Sequence, residues 1–190
     1  MKTLCVTLAC ALALSPALQA AIVWENGAPG ITTVSFNKDP FTDETDPANW
    51  DVISPSVAIT RIGSNNAAFL YNPLVEAGPV GGAPAGTRWA FANFNGNPSS
   101  LSAAGFPALN FSDFRASFGG SNPAGMVGLD GVLHLVAEDI YLDIRFSFWG
   151  RGMNNDGGAF SYDRASGPIP EPSAAALLGL ASLALLARRR

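Results

Sequence analysis

Cysteine is absent after position 10, and histidine occurs once, at His134. The two cysteines, Cys5 and Cys10, sit in an apolar leader, so the rest of the chain has no disulfide and no thiol nucleophile. Thr7-Leu8-Ala9 before Cys10 fits a lipobox poorly, which argues against lipidation there. A single histidine nearly closes Ser-His-Asp and zinc chemistry, both of which need a base or ligands that this composition does not supply. No Gly-x-Ser-x-Gly elbow accompanies it. Basic residues are also scarce. Residues 21–172 keep seven of the eleven Lys and Arg side chains and all fifteen acidic ones, a net charge of −8. A surface of that sign repels phosphate backbones, so nucleic acid is not an expected partner. Between the two ends, no stretch holds a helical period over twelve residues.

What is present begins with the leader. "MKTLCVTLACALALSPALQA" has Lys2, an apolar run from Leu4 to Leu14, a break at Ser15-Pro16 and small residues at Ala17 and Ala20. That layout is a secretory signal peptide, residues 1–20, with cleavage expected after Ala20. Its partners are signal peptidase and the secretion machinery. At the other end, Ala174–Ala187 is fourteen apolar or small residues broken only by Ser182. As a helix it would be about 21 Å long, short for a bilayer core of about 30 Å. Pro172 suits the first turn of such a helix, and the terminal arginines suit headgroups on the cytoplasmic side.

Pro170-Glu171-Pro172, then that apolar run, then Arg188-Arg189-Arg190 resembles the PEP-CTERM sorting signal of Gram-negative bacteria, here residues 168–190. The resemblance implies that the chain is the substrate of an exosortase, a membrane-embedded transpeptidase-like enzyme. It implies a precursor exported across the inner membrane, held there by the C-terminal helix, then placed at the cell surface or outside. It also implies association with extracellular polysaccharide or biofilm matrix.

Residues 21–167 form the expected folded domain. Short alternating runs between Gly, Pro, Asn and Ser turn signals argue an all-β sandwich or jelly-roll-like fold, flanked by the N-terminal signal helix and the C-terminal apolar helix. Candidate strands are "TTVSFNK", "SVAITRI", "AAFLYN", "TRWAFANF", "ALNFSDF", "GVLHLVAE", "DIYLDIRFSFW" and "AFSYDRA". In the penultimate run, Ile140, Leu142, Ile144, Phe146 and Phe148 fall on one face, the expected core. Tyr141, Asp143, Arg145, Ser147 and Trp149 fall on the other. "GRGMNNDGG" then turns the chain back as a hairpin. From "TTVSFNK" with its acidic loop through "SVAITR" and "GTRWAFA" to this hairpin, most of the chain between the ends is similar to a family of uncharacterised secreted bacterial proteins, in which an Asp-Ile-Tyr-x-Asp strand is followed by a Trp, a Gly-rich turn and a Phe-Ser-Tyr-x-Arg return. The likeness implies a fold and brings no activity.

Three kinds of site are expected. Tyr141, Trp149 and Tyr162, on the outer face of the hairpin beside Asp and Arg, are candidate carbohydrate contacts. Asp39, Asp43 and Asp46, in the loop "NKDPFTDETDPANWD", are candidate ligands for a structural calcium ion. Carboxylates such as Glu138, Asp139 and Asp143 leave open a small secreted polysaccharide hydrolase using a carboxylate pair. The preferred reading is a noncatalytic extracellular protein, with His134 a structural residue of its strand.

Overall fold

The computed structural model describes residues 20–63, 70–80, 82–120, 123–151 and 156–169. Most of the leader and the whole of Pro170, Glu171, Pro172 and Arg188–Arg190 lie outside the described residues. Within them, the chain is mostly strand with few and short helices, an all-β fold. No helix among the described residues is long and apolar enough to cross a membrane.

Among the described residues, nine strands form two sheets. In chain order they are β1 (Ile22–Trp24), β2 (Thr32–Lys38), β3 (Asp51–Val52), β4 (Ala58–Arg61), β5 (Leu70–Tyr71), β6 (Thr87–Phe91), β7 (Gly131–Leu135), β8 (Ile140–Trp149) and β9 (Phe160–Ser166). The main sheet runs β2-β9-β8-β7-β6, all antiparallel, and β1 pairs with β8 in parallel. Strands β1 and β9 use successive parts of β8: β1 meets Ile140–Leu142 and β9 meets Ile144–Trp149. A small sheet, β3-β4-β5, contributes Ile53, Val57, Ile59 and Leu70 to the same core as Trp89, Phe91, Leu133, Ile140, Leu142, Ile144 and Phe146. The one-turn helix α1 (Phe114–Ser117) adds Phe114, whose ring stands edge-on to Trp89 at 4.8 Å.

Alternation places the core as expected along β8 from Ile140 to Phe146, all of whose inward side chains are buried. After Phe146 it reverses. The pairing register with β9 shifts between Phe146 and Phe148, a β-bulge at Ser147. One extra residue exchanges the two faces. Phe148 is therefore 42% exposed, and Trp149 is 5% exposed and part of the core, the opposite of the expectation for both. The guanidinium of Arg61 lies over the Trp149 ring at 3.9 Å and donates to the carbonyls of Gly150 and Ala159. Burial lowers the Arg61 pKa to about 10.

Tyr162 is also a core residue, 1% exposed, because Phe160, Tyr162 and Arg164 share the inward face of β9. Arg164 is the polar member of that face. Its Nε and Nη2 donate to Asp51 Oδ2 and Oδ1 at 2.6 and 2.7 Å, and the Tyr162 hydroxyl donates to Asp51 Oδ2 at 2.6 Å. This buried triad joins the main sheet to the small one. Burial opposes the Arg164 charge, but hydrogen bonds and charge from Asp51 outweigh it and raise the pKa. Burial and the Asp51 charge push the Tyr162 hydroxyl well above its ordinary value.

"ALNFSDF" is not a strand. Residues 92–113 cross the outer face of the main sheet, with a 3-10 turn at Ala103–Ala108 and a single bridge from Ser112 to Trp89. Asn97 holds this crossing together: its side chain donates to the Phe91 and Asn110 carbonyls and accepts from the Asn110 N–H. Left-handed backbone at Asn93, Asn95 and Gly96 makes the turns that "ANFNGN" encodes.

Candidate functional site

The outward side chains of β8 meet the edge of this crossing segment, and a cleft of about 290 Å³ opens between them. Its lining is Glu25, Asn26, Leu101, Asp130, Gly131, Asp143, Ile144 and Arg145. Each comes from a different local cause. Asp143 and Arg145 are two apart on the outer face of β8. Glu25 and Asn26 follow β1, which parallel pairing holds beside Leu142. Asp130 precedes β7, whose Gly131 pairs with Ile144. A Cβ on Gly131 would stand 2.7 Å from the Phe91 ring and 3.0 Å from the Ile144 carbonyl oxygen, so this position of the cleft accepts no side chain.

Donors and acceptors alternate around the opening. Arg145 Nη1 donates to Asp130 Oδ1 at 2.8 Å. The backbone N–H of Asn26 donates to Asp143 Oδ2 at 2.9 Å. Burial raises the Asp143 pKa; the Asn26 hydrogen bond pulls it down, while the charges of Glu25 and Asp130 add to the rise. A carboxyl whose pKa is higher folded than unfolded opposes folding when ionised. Asp143→Asn is therefore expected to raise stability at neutral pH, by about 1 kcal/mol or less. The advantage should shrink as the pH falls through the Asp143 range and vanish below about pH 4, where aspartate is protonated in both states. Urea unfolding of both proteins from pH 3 to 8 checks the sign. A variant less stable than wild type at neutral pH contradicts it.

Tyr141 lies next along the same face. It is partly buried, stacked on His134 at 4.1 Å with the rings 5° from parallel, and the Phe111 ring tilts against both at 5.6 Å. His134 Nε2 lies 3.1 Å from Asp139 Oδ1. The histidine is thus engaged by its cross-strand neighbour and the following turn. Burial, with Asp139 nearby, raises the Tyr141 pKa.

Of the three expected carbohydrate contacts, only Tyr141 is on this face. Trp149 and Tyr162 are in the core and offer no ring to a ligand; the bulge moves the first, and the inward face of β9 takes the second. Glu138 is also elsewhere. Its Oε1 accepts from Ser54 Oγ at 2.8 Å and Ser56 Oγ at 2.5 Å, tying the β3–β4 turn to the turn before β8.

The structure does not bring Asp39, Asp43 and Asp46 together around one point. Among the described residues, no group of three or more His, Cys, Asp or Glu side chains could hold a metal ion. Asp43 Oδ1 accepts from the Thr45 N–H and hydroxyl, Asp46 Oδ1 caps the 3-10 turn at Ala48, and Asp39 Oδ1 accepts from Asn37. The three carboxylates are used to shape turns, each on its own neighbour.

Glu25, Asn26, Leu101 and Asp130 carry no local signal for a shared cleft. They meet through a parallel pairing and a crossing segment that span most of the domain, which periodicity within a strand does not record. Comparison with protein-family models, curated proteins and solved structures finds no match to this chain.

Proposed function

We propose that this chain is an exported, noncatalytic protein of the cell surface or extracellular matrix, sorted by an exosortase and associated with exopolysaccharide through its β domain. In this reading, the two sheets are the layers of a sandwich, flanked by the signal helix and the apolar sorting helix. The leader and the Pro170-Glu171-Pro172 tail support the route. The cleft supports the role. Its polar lining pairs acceptors with a guanidinium donor, which suits the mixed hydrogen bonding of sugar hydroxyls, and Tyr141 stands close by.

The observation that carries a noncatalytic reading is the same lining. It contains no Ser, Thr, Cys, Lys or His, and the one histidine is stacked on Tyr141 outside it. One feature favours a second reading. Asp130 and Asp143 line one cleft and Asp143 is raised by burial, the pattern of a carboxylate pair dividing acid and base roles.

A glycan array probed with the full chain tests both. Binding to one class of polysaccharide is expected, weakened about tenfold or more by Arg145→Ala or Asp143→Ala, the loss of a charge-assisted hydrogen bond. Binding untouched by both variants, or no binding, removes the cleft from the proposal. New reducing ends from the bound polysaccharide, abolished in Asp143→Asn, would make the protein the hydrolase instead.

A further inference from the structure

The main sheet ends in two unlike edges. At β6, Trp89 and Ser112 exchange backbone hydrogen bonds, N to O 2.9 Å in each direction, and the crossing segment closes that edge. At β2, residues Thr32–Lys38 pair with β9 on one side. On the other side, no backbone hydrogen bond among the described residues reaches them. Open edges are ordinarily blunted by proline, exposed lysine, a bulge or shortness. Strand β2 has seven residues in unbroken register and no proline. Its single charge, Lys38, is buried at the strand end, where Nζ donates to the Thr42 carbonyl and hydroxyl at 2.9 Å.

We infer that β2 pairs antiparallel with β2 of a second copy of this chain, joining two main sheets edge to edge. The occupant follows from the strand's self-complementarity. A two-fold axis through Ser35 pairs all seven residues. It sets Val34 opposite Phe36 of the second copy, twice, on the core side. On the outer face it sets Thr33 opposite Asn37, twice, and Ser35 opposite itself. At its ends it sets Thr32 opposite Lys38, twice, on the core side beyond the apolar pairs, and no like charges face each other. A two-fold contact through β2 uses that edge in both copies, so this pairing closes at two rather than grows. The cleft near Tyr141 lies toward β1, β7 and β8 and stays open in such a pair.

Sedimentation equilibrium of the full chain in detergent is expected to give a dimer, and Ser35→Lys a monomer, because two ammonium groups would meet at the axis. Ser35 is exposed and its one side-chain bond goes to Asp163, which an ammonium at 35 can also reach, so that variant should unfold near the wild-type urea concentration. In a background with Cys5 and Cys10 changed to serine, Ser35→Cys should form a covalent dimer under mild oxidation. Ser147→Cys, on the same face but away from the edge, should not. A monomeric wild type, a dimer that survives Ser35→Lys, or equal crosslinking by the two cysteine variants would overturn the inference; the last two would assign any association to the apolar tail.

Discussion

Replacing Asp51 with alanine is expected to cost about 3–5 kcal/mol of stability, since it strands the Arg164 guanidinium in the core. Asp51 and Arg164 are 5% and 3% exposed, and the arginine's inward route across β9 leaves it no path to water. The loss comes from the unpaired charge more than from the missing attraction. A paired replacement, Asp51→Leu with Arg164→Met, should therefore fall far closer to wild type than Asp51→Ala alone, because it removes both desolvated charges. Tyr162→Phe removes one hydrogen bond to the charged carboxylate and should cost about 1.5–3 kcal/mol. Urea titration of the three variants measures the ordering. If Asp51→Ala costs no more than Tyr162→Phe, the triad does not brace the two sheets.

The second large effect concerns processing. Changing Glu171, or removing Arg188–Arg190, is expected to leave export intact and block sorting, so that uncleaved precursor accumulates in the inner membrane. Residues before proline disfavour the helical region, and in the proposed route Pro170-Glu171-Pro172 is the stretch that the processing enzyme reads. In that route, the arginines are the positive residues that resist translocation. The proposal needs nearly all mature protein to lack its terminal arginines in cells with the exosortase. Mass spectrometry of the mature C-terminus, with and without that enzyme, reads this directly. Arg190 still attached to extracellular protein in exosortase-positive cells would defeat the processing proposal.

Much of the strand layout is legible in the sequence, for a specific reason. Strand β2 matches "TTVSFNK" residue for residue, and β8 alternates cleanly as far as Phe146, because one buried face and one open face impose a period of two. The reading fails at Ser147, where a single inserted residue leaves composition unchanged and reverses every side chain beyond it. It fails again at Arg164, since an inward arginine looks like a solvent residue until Asp51 is known to face it. Strands β1 and β3 are three and two residues long and too short to show a period. In the acidic loop, spacing does not reveal that local N–H and hydroxyl groups engage the Asp39, Asp43 and Asp46 carboxylates. Within the site, Tyr141, Asp143 and Arg145 are legible as one outward row. The residues that turn that row into a cleft come from β1, the start of β7 and the crossing segment, and only tertiary pairing assembles them.

The sharing of β8 between β1 and β9 also sets an order in time. A chain made from its N-terminus presents β1 and β2 first, yet their partners Ile140–Leu142 and Phe160–Ser166 are the last strands to appear. Until then the earliest strands have nothing in the main sheet to bind. Closing so long a loop is slow. The main sheet is therefore incomplete until its final strand exists, and β2 stays unpaired within it until then.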